Sequence, residues 1–77
     1  MVEVFKTNVT ETEDAQEIID EIHRSFSHYR ANFALDDCDK ILRIKCTWGI
    51  VSTTEVIAIV SAHGFEAAIL PELIIPV

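Results

Sequence analysis

The sequence has few of the residues that interrupt regular structure or cross-link chains. Its 77 residues include only two glycines, two prolines and two cysteines, whereas 49% of the residues are hydrophobic. This composition argues against a disordered chain and indicates one small folded domain. No apolar run approaches the roughly 20 residues that a membrane-spanning helix requires.

Basic residues are also scarce. The chain has 6 Lys and Arg against 13 Asp and Glu, for a formal net charge of −7. Nucleic-acid binding depends on cations that neutralise phosphates, so this balance argues against it. The first residues lack a basic segment followed by a long apolar one, which argues against a secretory signal. We therefore expect a cytoplasmic protein without a nucleic-acid or membrane partner.

The two cysteines, Cys38 and Cys46, lack the Cys-x-x-Cys spacing of a metal site. The pattern places Cys38 in a turn and Cys46 near the far end of the next strand, roughly 25 Å away at about 3.3 Å per residue. That separation is far beyond disulfide reach, so we expect two reduced thiols.

The most regular pattern predicts a helix from about residue 11 to residue 26. Its apolar residues recur at helical spacing and share one face: Ala15, Ile18, Ile19, Ile22 and Phe26. Thr10 and Glu13 have the spacing of a capping box, which predicts that the helix opens after Thr10. On the outer face, Asp20 and Arg24 have the spacing of a favourable i, i+4 ion pair.

Patterns of alternating hydrophobicity and turn residues complete the chain. They predict strands over residues 2–9, 28–35, 41–47 and 65–70, and a second helix between Ser52 and Gly64. In the first strand we expect Thr7 to face inward, because burying Thr7 costs less than burying Lys6. The alternation predicts these core-facing strand residues: Phe5, Thr7, Val9, Tyr29, Ala31, Phe33, Leu35, Leu42, Ile44 and Cys46.

The βαββαβ order predicts an α+β domain with a ferredoxin-like fold over residues 1–71. Right-handed crossovers give a four-stranded antiparallel sheet in the order 4-1-3-2, with both helices on one face and the other face open. Residues 72–77 form an apolar tail with no place in that plan. We expect the tail to be ordered against protein, either its own chain or a second copy.

The stretch Val-Ile-Ala-Ile-Val-Ser-Ala-His-Gly-Phe-Glu-Ala combines a helix, a glycine, an aromatic residue and the start of a strand. With the element order and the length, it resembles the heavy-metal-associated (HMA) domains of small copper chaperones and metal-transporting ATPases. That family binds metal through a Met-x-Cys-x-x-Cys loop between strand one and helix one. Here Val9 stands at the methionine position, and Glu11 and Asp14 stand at the cysteine positions. Cu(I) requires thiolate or thioether ligands, so we predict a degenerate motif that binds no metal.

Other polar clusters have simpler explanations than a site. Asp36, Asp37, Cys38 and Asp39 could hold a cation or present a reactive thiol, but an exposed turn explains them better. His23, His28 and His63 are spread along the chain, and we expect them to be solvated or locally hydrogen-bonded. The sequence has no Gly-rich phosphate loop and no nucleophile elbow. We therefore expect no catalytic residue, no cofactor and no enzymatic activity.

Arg30, Arg43 and Lys45 are predicted to share the open face of the sheet, with Lys6 beside them. Such a face is either a solvated surface or a docking site for an acidic partner. An RNA-recognition sheet would need aromatic residues there, whereas Tyr29 and Phe33 are expected to face the core.

Our leading hypothesis is a non-enzymatic, HMA-like module that has lost its thiolate site and binds a protein partner or a second copy of itself. One alternative is a metal-binding protein that uses carboxylates or a single thiol. The other is an ACT-like small-molecule sensor, which rests on fold analogy alone.

Overall fold

The computed structural model describes residues 2–70, and these form a four-stranded sheet with two helices. The elements in chain order are β1 Val2–Thr7, α1 Thr12–Ser25, β2 Tyr29–Ala34, β3 Ile41–Cys46, α2 Thr53–Ala62 and β4 Ala67–Ile69. The predicted α+β order is confirmed, although each observed strand is shorter than predicted. The predicted apolar tail at residues 72–77 and the domain boundary before it lie outside the described residues. Neither helix among residues 2–70 is long and apolar enough to cross a membrane.

The four strands form one antiparallel sheet in the order β2-β3-β1-β4. This is the predicted order 4-1-3-2 read from the opposite edge. The central strands β1 and β3 pair with Phe5 opposite Leu42. The six-residue β2 and the three-residue β4 are the edge strands. The order follows from two crossover connections. α1 links β1 to β2 with β3 between them, and α2 links β3 to β4 with β1 between them.

The core lies where the helices cover one face of the sheet. The predicted inward side of β1 is confirmed, since Phe5 and Val9 are fully buried and Thr7 is 7% exposed. The helices contribute their periodic apolar residues, and the fully buried ones are Ile18, Ile22, Val56 and Val60. Alternation along β3 buries Leu42, Ile44 and Cys46, as predicted. Buried Thr7 keeps its hydroxyl satisfied by donating to the carbonyl of Lys40 at 2.6 Å.

The predicted capping box at the start of α1 is wrong. Glu11, in an extended conformation, is the N-cap residue, and no side chain caps the helix. The first helical hydrogen bond runs from the amide of Ala15 to the carbonyl of Glu11 at 3.0 Å, which leaves Thr10 outside the helix. Glu13 and Asp14 in the first turn still oppose the positive end of the helix dipole.

The ion pair predicted on the outer face of α1 has a different partner. Arg24 Nη1 donates to Glu21 Oε1 at 2.9 Å, three residues earlier in the helix. Asp20 instead accepts a hydrogen bond from Gln16 Nε2 at 2.9 Å. Both arrangements lie on an exposed surface, where such pairs contribute little to stability.

The ends of α2 agree with the prediction. Ser52 is its N-cap residue, but the Ser52 side chain makes no capping hydrogen bond. The capping box that the spacing of Ser52 and Glu55 predicts is therefore wrong. Gly64 follows the helix with φ +87°, in the left-handed region that favours glycine. Its amide donates to the carbonyl of Ser61 at 2.9 Å, which closes the last turn of the helix.

Candidate interaction surface

The three predicted interaction residues lie together on the open face of the sheet. Arg30 stands directly opposite Lys45, and Asn32 stands directly opposite Arg43, across the β2–β3 ladder. All four side chains are exposed. Directly opposed residues have Cβ atoms about 4.5–5.5 Å apart, so the strands hold these cations in a compact group. We call Arg30, Asn32, Arg43 and Lys45 the basic face.

The basic face has no internal charge compensation. Among residues 2–70, the only ion pairs that form are Lys6–Asp39 and Arg24–Glu21, so Arg30, Arg43 and Lys45 have no carboxylate partner there. Two cations in directly opposed positions repel each other, as Arg30 and Lys45 do. The arrangement therefore favours the binding of an anionic group that residues 2–70 do not themselves provide.

The central strand β1 adds apolar surface beside the cations. Val4 stands opposite Arg43, and Lys6 stands opposite Ile41. Ile41 is only 7% exposed although it belongs to the open side of the sheet, and it lies outside the core beneath the helices. The burial of Ile41 is not indicated by the sequence pattern, because Ile41 precedes the alternating residues of β3. Lys6 lies 3.8 Å from Asp39 with both side chains exposed, so that ion pair is weak.

A second exposed feature, also missed from the sequence, is the connection between β3 and α2. Trp48 is 81% exposed and Ile50 is 75% exposed, on either side of Gly49. The sequence signal was present, because two large apolar residues flank a glycine in a connection. Hydrophobic periodicity does not indicate it, because neither residue belongs to a helical or strand period.

The acidic turn between β2 and β3 is an exposed turn, as expected. Asp37, Cys38 and Asp39 each offer one ligand atom, and these atoms lie within 4.8 Å of one another. Local contacts account for both acids: Asp37 Oδ1 accepts from the amide of Asp39 at 2.9 Å, and Asp39 pairs with Lys6. Cys38 is exposed, and Cys46 is buried. Glu11 and Asp14 do not belong to this group of ligand atoms.

The histidines do not gather into a site among the described residues. His23 Nε2 accepts a hydrogen bond from the amide of Ala31 at 3.1 Å, so this histidine is hydrogen-bonded, but its partner lies on β2 and not in its own helix. His28 makes an edge-on contact with Tyr29, with ring centroids 5.2 Å apart. Both histidines line an open groove of about 460 Å³ that also includes Arg30 and Thr47. The groove therefore borders the basic face.

Comparisons of the chain with models of known protein families, with curated proteins and with solved structures find no match in any of the three. The resemblance to HMA domains thus remains a prediction from the sequence pattern.

Proposed function

We propose that this chain is a non-enzymatic protein-interaction module with a ferredoxin-like fold, and that its basic face binds an acidic segment of a partner protein. In this proposal the module is built like an HMA domain whose metal loop has lost both thiolates, at Glu11 and Asp14. The open face of the sheet, and not the former metal loop, is then the binding surface.

The juxtaposition of Arg30, Arg43 and Lys45 is the observation that carries the proposal. Their positions follow from strand register, so the cations are held by the sheet and not by a loose loop. The chain as a whole has a formal charge of −7, which makes a group of unpaired cations unusual on its surface. Complementary charge speeds the encounter of two proteins and selects against wrong partners.

The metal-binding alternative has less support. Its best candidate ligands are Asp37, Cys38 and Asp39. The Asp37 carboxylate already accepts a hydrogen bond within the turn, and the Asp39 carboxylate is paired with Lys6. Exposed acidic turns commonly make such contacts without any ion. The ACT-like alternative has no specific observation in its favour.

Site-specific photo-crosslinking in cells that produce the protein tests the proposed function. A benzophenone amino acid at Asn32, inside the basic face, is expected to give a discrete adduct with a partner protein. The same amino acid at Glu17, on the exposed side of α1, serves as the position control. Arg43→Glu should reduce the Asn32 adduct at least tenfold, whereas Arg24→Glu, which reverses a cation on α1, should leave it unchanged.

Two outcomes would contradict the proposal. One is the absence of any adduct from Asn32. The other is an adduct that forms equally from Glu17 or survives charge reversal at Arg43, since either result would show that the basic face does not select the partner.

A further inference from the structure

The connection between β3 and α2 presents two large apolar side chains to solvent. Trp48 and Ile50 are far more exposed than any other large apolar residue of the described chain; the next is Val2 at 49%. Neither side chain contributes to the core cluster, whereas Val51 beside them is 6% exposed and does. Single exposed apolar side chains are ordinary, whereas adjoining ones that form a patch mark interaction sites, and Trp48 and Ile50 are separated only by Gly49. We call residues 47–51 the anchor turn.

The backbone of the anchor turn is held in place by buried groups beneath it. The thiol of Cys46 donates to the carbonyl of Trp48 at 3.0 Å. The hydroxyl of Tyr29 donates to the carbonyl of Ile50 at 3.4 Å and accepts from the amide of Ser52 at 2.7 Å. Cys46 and Tyr29 are themselves 1% and 5% exposed. A partner would therefore meet a turn whose backbone is already ordered, which reduces the entropy lost on binding.

The anchor turn continues directly from the basic face. β3 ends at Cys46, so Lys45 lies three residues before Trp48, with Arg30 opposite it on β2. Residues 22–35 and 40–54, which include β2, β3 and the connections at the Trp48 end of these strands, contain no Asp or Glu. The neighbouring elements do carry acids: Glu55 is in the first turn of α2, and Glu3 stands opposite core-facing Ile44. Near the C-terminal end of α1, Glu21 is already paired with Arg24. The end of the molecule that carries Trp48 is thus apolar and cationic in an otherwise acidic chain.

We propose that Trp48 and Ile50 are the apolar anchors of the interaction surface, and that the occupant is an acidic peptide segment that also carries an apolar side chain. This inference rests on the proposed function and extends it. The apolar side chain packs on Trp48 and Ile50, while the acidic residues contact Arg30 and Lys45. Tryptophan and arginine are enriched among the residues that dominate binding energy in protein interfaces.

A membrane surface is the less favoured occupant. Apolar turns do bind lipid, but stable attachment needs more buried apolar area or a stronger attraction to anionic lipids. The two exposed apolar side chains offer little area to bury, and the three cations of the basic face are fewer than the about four to eight Lys or Arg typical of segments that bind anionic lipid.

Selection of random twelve-residue peptides displayed on phage, with the full chain as bait, tests the inference. Enriched peptides are expected to be acidic and to contain an aromatic or aliphatic residue. Fluorescence anisotropy then measures their affinity for variants. Trp48→Ser should weaken binding at least tenfold and Ile50→Ser several-fold, while Ile69→Ser, which removes an exposed apolar side chain from β4, should leave affinity unchanged. The melting temperatures of Trp48→Ser and Ile50→Ser should match that of the parent chain, because these side chains are 81% and 75% exposed. Affinities are compared below the melting temperature of Ile69→Ser, because Ile69 is half-buried opposite Phe5.

The results separate this inference from the proposed function. If the selected peptides bind Trp48→Ser within twofold of the parent chain, the anchor turn is not part of the site. If those peptides still lose affinity on Arg43→Glu, the proposed function stands and only the inference falls; if they do not, both fall. Sedimentation with phosphatidylserine vesicles tests the membrane alternative. Binding there that depends on Trp48, without enrichment of acidic peptides, would overturn the assignment of a protein partner.

Discussion

The hydroxyl of Tyr29 accepts a hydrogen bond from the backbone amide of Ser52 at 2.7 Å. Tyr29 opens the edge strand β2, and Ser52 is the N-cap residue of α2, so this contact joins two elements that are 23 residues apart. The Ser52 side chain makes no capping hydrogen bond. The entry into α2 is therefore stabilised by a side chain from the sheet and not by its own cap.

Tyr29→Phe is expected to destabilise the protein by about 1–3 kcal/mol, because it leaves the Ser52 amide without its acceptor. The ring contact with Phe26, whose centroid lies 4.4 Å away, is kept in the variant. Urea denaturation should report the loss of stability, and amide exchange at Ser52 should become faster. Ser52→Ala is the matched control and should change stability by less than about 0.5 kcal/mol. A larger effect from Ser52→Ala than from Tyr29→Phe would contradict this account.

Ile22→Ala is expected to destabilise the protein by about 2–5 kcal/mol, because Ile22 is fully buried on the core side of α1. That is a large share of the total stability of a small domain, typically about 5–15 kcal/mol. Urea denaturation measures the difference, and Ile19→Ala, at a partly buried position on the same helix, should cost less. A loss below about 1 kcal/mol for Ile22→Ala would mean that α1 packs through another face.

Much of the fold could be predicted because its elements obey simple periods. The helical spacing of Ile18 and Ile22 identifies the buried side of α1, and the alternation of Leu42 and Ile44 identifies the buried side of β3. The strand order follows from element order and crossover handedness. The grouping of Arg30, Arg43 and Lys45 on one face follows in turn from alternation and pairing.

Features that depend on local geometry could not be predicted in the same way. Whether Thr10 or Glu11 ends the extended segment before α1 is decided by backbone angles that no spacing rule sets. Arg24 is within reach of both Glu21 and Asp20 by spacing. It bonds Glu21, whereas Asp20 accepts a hydrogen bond from Gln16. The exposure of Trp48 depends on how the chain leaves β3, which a hydrophobicity pattern does not describe.

We expect no tight Cu(I) or Zn(II) binding at Glu11 and Asp14, because hard carboxylates are poor ligands for Cu(I) and two of them do not complete a zinc site. Titration of each metal against a competing chelator measures this. A stoichiometric complex tighter than micromolar that is lost in Glu11→Ala/Asp14→Ala would overturn the expectation. Asp37→Ala/Asp39→Ala is the control, because it distinguishes metal binding at the β2–β3 turn from metal binding at Glu11 and Asp14.

His23→Ala is expected to expose the edge of the sheet at β2. The amide of Ala31 points away from β3 and donates to His23 Nε2 at 3.1 Å, so the imidazole occupies a donor that an edge strand otherwise presents to solvent or to another chain. Hydrogen exchange at Ala31 should become faster in the variant, while exchange in β1 should be unchanged. His23→Gln should restore part of the protection, because its amide oxygen can accept the same hydrogen bond. Equal exchange at Ala31 in the parent chain and in His23→Ala would show that this histidine does not protect the edge.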